Sequence, residues 1–203
     1  MKLYNGFSPN GARVAVFLAE KDVTIPTADV SVLKGETRTP EFRKINSLGQ
    51  VPVLELDDGT ILTESVAICR YLESLYPKPS LFGEDALAQA RIEMWNRRME
   101  RHIFDTAGNV GMHEMPLFAD QIEQIPEYAA SLRRRFAAKL SWLDAEMADG
   151  RPFIAGDTFS VADITGMAAL MVCHFIEEKV PTDFEHVKAW EDRMRARPSW
   201  PKT

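Results

Sequence analysis

Residues 48–65, LGQVPVLELDDGTILTES, contain the features that decide the fold of the first part of the chain. Two short apolar runs, Val53–Leu56 and Ile61–Leu62, flank an Asp-Asp-Gly turn, and this pattern is typical of a β-hairpin. Pro52 stands where the first strand begins, although proline lacks the N–H that a sheet ladder uses. The proline therefore indicates either a blunted edge strand or a bend at a cis Val51–Pro52 bond.

The segment after the hairpin begins a helix, with apolar residues at Ile68, Tyr71, Leu72 and Leu75. Free N–H groups and the dipole at a helix N-terminus favour an anion, whereas Thr63 or Ser65 can simply cap the helix. Taken with a cis proline, the segment indicates a site for a short extended peptide. Its main chain would pair with Val51, and its α-carboxylate would lie at Glu64 and Ser65.

Strand and helix signals alternate over the first 76 residues, which predicts a small α/β layer. The elements before the hairpin are expected at Lys2–Tyr4 (strand), Gly11–Lys21 (helix), Ala28–Val32 (strand) and Pro40–Ile45 (helix). Residues 76–85, YPKPSLFGED, contain two prolines and a glycine and predict a linker. Beyond them the apolar residues recur at helical spacing, although DTAGNVGMHEM, residues 105–115, looks irregular. The expected fold class is α/β followed by an all-helical bundle.

Composition excludes several classes of function. The 203 residues carry a net charge of −6, which argues against a nucleic-acid partner or an anionic membrane surface. Cys69 and Cys173 lie in apolar helical patterns, which predicts buried, reduced thiols. The four histidines lack the spacing of metal ligands, so no metal is expected. Without a signal region or an apolar membrane span, the protein is expected to be soluble and cytosolic.

Ser160 is followed three residues later by Asp163, which is the spacing of a helix capping box. In this motif the two side chains bond reciprocally to backbone N–H groups that the first helical turn leaves unpaired. We therefore interpret Ser160 and Asp163 as structural residues that start a buried helix.

Five stretches in this order resemble those of the cytosolic glutathione S-transferases, and the similarity is greatest to the bacterial and fungal type described in yeast. They are SPNGARVAVFLAEK (8–21), LKGETRTPEF (33–42), NSLGQVPVLELDDGTILTESVAICRYLE (46–73), PFIAGDTFSVADI (152–164) and AWEDRMRARPS (189–199). The resemblance implies a thioredoxin-like, glutathione-binding domain over residues 1–77. It also implies an all-helical domain over residues 86–203 that carries the acceptor-substrate pocket.

The resemblance implies that glutathione is a co-substrate whose thiol is activated as the thiolate. A free thiol has a pKa of about 8.5, and the thiolate is the nucleophile. Ser8, after the first strand, is the leading candidate for the hydroxyl that stabilises the thiolate, with an N-cap role as the alternative. Asn10 is a rival donor, and Tyr4 is interpreted as a packing residue. In atypical members a held water replaces the hydroxyl, a role in which Asn109 and His113 are candidates.

The remaining contacts are also implied by resemblance. Lys34 would meet the glycine carboxylate of glutathione, Val51 and Pro52 its main chain, and Gln50, Glu64 and Ser65 its γ-glutamyl end. The acceptor pocket, for a small hydrophobic electrophile, would be lined between the domains by Phe7, Asn109, Met112, His113 and Met115. A two-fold dimer is expected through Arg70, Arg91, Met94 and Arg98. The alternatives are a glutathione-dependent isomerase or dehalogenase of the same fold, or a non-catalytic interaction module.

Overall fold

A computed structural model of the chain describes residues 1–200. These residues form two compact units, Met1–Ser80 and Leu81–Trp200. The first unit contains a four-stranded sheet with helices, and the second is helical, so the predicted fold class is confirmed. The assignment of separate functions to residues 1–77 and 86–203 stays a prediction. Residues 201–203, the end of the second predicted domain, lie outside the described part of the chain.

The first unit is built on a four-stranded sheet. Its elements are β1 (Lys2–Asn5), α1 (Pro9–Glu20), β2 (Thr27–Asp29), α2 (Pro40–Ile45), β3 (Val53–Glu55), β4 (Ile61–Leu62) and α3 (Ser65–Leu75). The strand order is β2-β1-β3-β4, with β1 parallel to β2 and antiparallel to β3, and with β3 antiparallel to β4. Helices α1 and α3 pack against each other. This is the thioredoxin-like arrangement that the resemblance predicted.

Strand β2 is shorter than the predicted Ala28–Val32. Its last sheet contact is the N–H of Val30, which donates to the carbonyl of Asn5 at 2.7 Å. The chain then turns, because the N–H of Ser31 donates to the Glu36 carboxylate at 2.7 Å. The β-branched residues of this segment favour a strand, but the local bond between Ser31 and the Glu36 side chain ends the strand early.

The hairpin is confirmed, but its first strand is not at an edge. β3 lies between β1 and β4, with Leu54 opposite both Leu3 and Leu62. The interpretation of Pro52 as a residue that blunts an edge strand is therefore wrong. The Val51–Pro52 peptide bond is cis, which is the other interpretation of the proline.

The second unit contains five α-helices, of which four are arranged around a central buried one. They are α4 (Ala86–Arg98), α5 (Asp105–Glu114), α6 (Pro126–Glu146), α7 (Val161–Phe175) and α8 (Glu185–Arg195), and a π-helical segment, Met99–Phe104, joins α4 to α5. α7 is the central helix, since every residue from Val161 to Cys173 is buried. Within residues 1–200, no helix combines the length and the hydrophobicity needed to span a membrane.

The prediction that residues 105–115 are irregular is wrong, because most of them form α5. Two glycines and an asparagine lower the helix propensity of this segment. Packing reverses that preference: Gly111 is buried, and a Cβ atom there would lie 3.2 Å from the sulfur of Met115 and 3.3 Å from Ile176. The glycine therefore permits a close approach instead of breaking the helix.

The predicted capping box at the start of α7 is confirmed, and it extends further than the motif requires. The Asp163 carboxylate accepts from the N–H of Ser160 at 3.0 Å, from the N–H of Ile154 at 2.8 Å and from the indole N–H of Trp190 at 2.9 Å. Asp163 is fully buried. One carboxylate thus joins the preceding loop, α7 and α8.

Both cysteines are free and buried, as the sequence predicted. Burial raises the pKa of the Cys69 thiol to about 12 and that of the Cys173 thiol to about 12. Neither thiol is therefore an ionised nucleophile near neutral pH.

Candidate active site

The turn from β1 into α1 is fixed by close backbone approaches. A Cβ atom on Gly6 would lie only 2.2 Å from the carbonyl oxygen of Val30 and 3.6 Å from a methyl group of Val51, so the turn packs directly against both residues. The side-chain amide of Asn5 donates to the carbonyl of Gly11 at 3.2 Å and so holds the first turn of α1. The residues after β1 are therefore presented beside Val51 by the sheet itself.

Ser8 is the N-cap of α1. Its φ of −158° and ψ of 154° are extended, and its hydroxyl oxygen accepts from the N–H of Gly11 at 3.0 Å. This is the structural role that the sequence allowed for Ser8. A capping bond of this kind uses a lone pair of the hydroxyl oxygen, and the hydroxyl proton can still be donated elsewhere. Capping and donation to a ligand are thus compatible at this residue.

Arg13 is a buried arginine that links α1 to the start of α3. Its side chain is only 2% exposed. One terminal guanidinium nitrogen, Nη1, donates to Asn10 Oδ1 at 3.0 Å and to Ser65 Oγ at 2.6 Å. The Ser65 hydroxyl in turn lies 3.3 Å from Asn10 Oδ1. Two predicted site residues, Asn10 and Ser65, are thereby brought together around one cation.

Sequence reasoning did not identify Arg13 as a site residue. The signal was present, since Arg13 shares its helical face with Val14 and Phe17, both fully buried. A charged residue on the apolar face of an amphipathic helix needs a polar partner inside the fold.

The N-terminus of α3 has no side-chain cap. Neither Thr63 nor Ser65 caps the helix; the N-cap residue is Glu64, which makes no side-chain capping bond. Glu64 also has a φ of 65° and a ψ of 111°, a conformation that costs a residue with a side chain about 1–3 kcal/mol. Strained backbone of this kind persists only where the surrounding structure imposes it. The capping interpretation of Thr63 or Ser65 is therefore wrong.

The segment before β3 presents unpaired main chain. The carbonyl of Gln50 accepts from the side-chain amide of buried Asn46 at 2.8 Å, which anchors the approach to Val51. Val51 is itself buried, yet its N–H and C=O make no hydrogen bond within residues 1–200. Buried main-chain groups are nearly always paired, so this pair of groups suits an extended peptide.

The other predicted site residues are arranged less closely. Lys34 lies in the turn after β2, where its N–H donates to Ser31 Oγ at 3.2 Å and its side chain is exposed. Phe7 follows the first turn and is 55% exposed. Tyr4 packs edge-on against Phe42 and donates to Glu55 at 2.7 Å, which agrees with its interpretation as a packing residue.

The candidates in the second unit lie on or directly after α5 and make local contacts. The side-chain amide of Asn109 donates to the carbonyl of Asp105 at 2.7 Å. His113 Nδ1 accepts from the N–H of Ile125 at 3.1 Å, and its ring contacts the Tyr128 ring edge-on at 5.1 Å. The half-buried Met112 and Met115 each offer a carbonyl to Gln124, at 2.9 and 2.8 Å. The acceptor pocket assigned to these residues stays a prediction.

Comparison with known proteins gives matches over most of the chain. Residues 7–75 match the model of the glutathione S-transferase N-terminal domain, and residues 109–198 match that of the C-terminal domain. The chain is 37% identical to glutathione S-transferase 2 of Saccharomyces cerevisiae, over 94% of this chain and 83% of the relative. The crystal structure of Gtt2 from the same yeast superposes with a TM-score of 0.91 at 36% identity, covering 98% of each chain. Human glutathione transferase theta-2, solved in complex with glutathione, superposes with a TM-score of 0.84 at 27% identity, covering 95% of this chain and 79% of that one.

Proposed function

Because this chain belongs to the glutathione S-transferase family and is an enzyme of that family, as its sequence predicted, we propose that it ionises the thiol of bound glutathione for attack on small hydrophobic electrophiles. The observation that carries the proposal is the cluster of Asn10, Arg13 and Ser65. It joins the first turns of α1 and α3, and this supports our placing the thiol and the γ-glutamyl carboxylate of one bound peptide at these two helix starts.

Glutathione would bind as an extended peptide. Its cysteinyl main chain pairs with the free N–H and C=O of Val51, beside Pro52, as one more strand would. Its γ-glutamyl carboxylate lies at the uncapped N-terminus of α3, where the N–H groups and the dipole attract an anion. Glu64 and Gln50 face the γ-glutamyl end, and the exposed Lys34 is available to the glycine carboxylate.

The thiol would lie at the start of α1, near Ser8. The N–H of Gly11 donates to Ser8 Oγ and polarises the hydroxyl, which makes its proton a better donor to sulfur. Asn10 is the rival, and its Oδ1 already accepts from Arg13, so the amide nitrogen is the group it would offer to sulfur. The thiol releases its proton to solvent, and the thiolate attacks the electrophilic carbon. A C–S bond forms as the leaving group departs with the bonding electron pair.

The acceptor would be an apolar molecule that contacts Phe7 and Met112, with Asn109 and His113 as its polar neighbours. Thioether and aromatic side chains suit flat, hydrophobic ligands of varied shape. We also propose that the enzyme removes reactive electrophiles in the cytoplasm and that it assembles as a two-fold dimer. Met94 is 42% exposed on α4 and is available to such an interface.

The proposal is tested by titrating the ultraviolet absorbance of the glutathione thiolate on the protein. We expect the pKa of the bound thiol to lie about two pH units below that of free glutathione, which corresponds to about 2.7 kcal/mol of differential stabilisation. The matched control is the complex with S-methylglutathione, which binds through the same groups and has no ionisable thiol. Binding with an unchanged thiol pKa would indicate a carrier or interaction module, and absence of binding would contradict the proposed site.

A further inference from the structure

A cavity of about 900 Å³ lies within the second unit, at the C-terminal end of α7. It is bounded by the last part of α7, by the loop that follows and by α8. Its apolar lining comes from Leu170, Cys173 and Val180, which are all buried. Cavities of this size commonly hold small molecules, with an apolar wall and a few polar groups that fix the ligand. The polar groups that line this cavity therefore decide which ligand it suits.

The carboxylate of Glu191, on α8, is the most enclosed of these polar groups. Only 9% of its side chain is exposed. Both hydrogen bonds from Arg195, at 2.7 and 2.9 Å, end on Oε1. Within residues 1–200 the other oxygen, Oε2, has one polar contact, an ion pair with Lys188 Nζ at 3.4 Å, and the same Nζ also pairs with the exposed Asp192. One oxygen of a buried carboxylate is thus left to accept from a further donor.

Glu177 lines the same cavity in a backbone conformation that disfavours a side chain. α7 ends in a Schellman motif, since the N–H of Glu178 donates to the carbonyl of Cys173 at 2.9 Å. The left-handed position of this motif usually holds glycine, yet here it is Glu177, with a φ of 58°. Strain of this kind clusters at functional sites. Because Glu177 forms no ion pair within the described residues, its carboxylate is available to a ligand.

The electrostatic field beside the apolar wall is negative. Burial raises the pKa of the Cys173 thiol to about 12, and Glu178 and Glu191 add to that effect. Arg195 opposes it more weakly than either carboxylate. The negative end of the α7 dipole lies in the same place. Cations also line the cavity, namely Lys179, Lys188 and Arg195. Their side chains are exposed or half-buried and can turn toward water, whereas burial fixes Glu191.

We propose that this cavity is a binding site for an organic cation, a primary ammonium group on an aromatic or aliphatic body. The ammonium donates to Oε2 of Glu191 and is attracted by the Glu177 carboxylate, while the body covers the apolar wall at Leu170 and Val180. An anion is disfavoured because the enclosed charge of the cavity is itself negative. The site shares no residue with the proposed glutathione site and does not depend on the proposed function.

The test compares three ligands that carry the same ring system: naphthylmethylamine, the neutral naphthylmethanol and the anion naphthoate. By titration calorimetry at neutral pH, the wild-type protein is expected to bind the amine about tenfold more tightly than the alcohol, the lower end of the range for a hydrogen bond to a charged group. The methyl NMR signals of Leu170 and Val180 should shift when the amine binds. Equal binding of amine and alcohol, or tighter binding of naphthoate, overturns the inference.

Glu191→Gln removes the enclosed charge and nearly preserves the shape of the side chain. Its preference for the amine over the alcohol is expected to fall to about twofold. The matched control is Glu185→Gln, which removes an exposed carboxylate in the first turn of the same helix, outside the cavity lining. This control should keep the wild-type preference. An unchanged preference in Glu191→Gln, or an equal loss in Glu185→Gln, overturns the inference.

Glu177→Gly keeps the inference testable if Glu191→Gln does not fold. Glycine adopts the left-handed conformation without strain, so the melting temperature should not fall below that of the wild type. The preference for the amine should nevertheless decrease to about fivefold or less, because one of the attracting carboxylates is gone. Weaker binding by a protein that is no less stable separates a lost ligand contact from lost folding. A wild-type preference in Glu177→Gly overturns the inference.

Discussion

Replacing Asp163 by alanine is expected to lower the free energy of unfolding by about 4 kcal/mol, because it leaves three buried N–H donors without an acceptor. These donors belong to Ser160, Ile154 and Trp190. A loss of this size lowers the melting temperature of a chain of this length by about 12 °C. Thermal and urea unfolding followed by circular dichroism measure both quantities.

The matched control is Asp192→Ala, which removes an exposed carboxylate on α8 that pairs with Lys188. Exposed pairs of this kind contribute about 0.5 kcal/mol or less. If Asp163→Ala and Asp192→Ala have the same unfolding free energy, Asp163 does not fasten the loop, α7 and α8 together.

Asp163 also makes a prediction about pH. Burial raises the pKa of its carboxyl to about 6, while the bonds from Ile154, Trp190 and Ser160 oppose that shift. The folded protein therefore binds this proton more tightly than the unfolded chain, whose aspartates have a pKa near 3.9. The stabilising contribution is complete below about pH 4 and is lost as the pH rises through 6.

The measurable quantity is the difference in unfolding free energy between wild type and Asp163→Asn, which cannot ionise. We expect this difference to shrink by about 2 kcal/mol between pH 4 and pH 7. Other carboxylates, such as Glu114 beside Arg133, contribute the opposite slope to both proteins and cancel in the comparison. A difference that does not change with pH would contradict the raised pKa of Asp163.

Ser8→Ala is expected to lower kcat/KM for conjugation about 25-fold at pH 7. Loss of the hydroxyl donor returns the pKa of the bound thiol from about 6.5 toward about 8.5, so the thiolate fraction at pH 7 falls from about three quarters to about 3%. The same substitution removes the N-cap of α1 and is expected to cost about 1 kcal/mol of stability.

Two further variants separate the cap from the donor. Ser8→Thr retains a hydroxyl for both purposes and should keep most of the activity. Ser8→Asp still accepts from the N–H of Gly11, so it should restore stability, but an ionised carboxylate has no proton to give to sulfur. Full turnover in Ser8→Ala would exclude the hydroxyl and leave Asn10, or a water held by Asn109 and His113, as the activating group.

The sequence predicted the fold well where local and global preferences agree. The hairpin at residues 53–62, the short helix α2 and the capping box of α7 each carry a turn, proline or capping signal beside a clear hydrophobic period. Prediction failed where a tertiary contact decides the outcome. The packing of Gly111 against Met115 and Ile176 makes a helix from a segment with poor helix propensity, and the bond from Ser31 to Glu36 shortens β2.

The candidate site, which stays a prediction, could be derived only in part from the sequence. Val51, Pro52, Glu64 and Ser65 could be named because a proline before a strand and polar residues before a helix are local patterns. The link from Arg13 to Ser65 joins residues 52 positions apart and has no local signature except a charge on an apolar helical face. The φ of Glu64 is likewise imposed by the surrounding structure, since its own propensity opposes it.

The burial of the two cysteines has a consequence for the proposed reaction with electrophiles, which also attack protein thiols. With thiol pKa values of about 12, only about one molecule in 10⁵ carries a thiolate at Cys69 or Cys173 at pH 7. If its substrates are electrophiles, as we propose, burial protects both cysteine thiols from alkylation by them and leaves the thiol of bound glutathione as the reactive sulfur. Burial in the hydrophobic core thus lowers the reactivity of both cysteine thiols in addition to stabilising the fold.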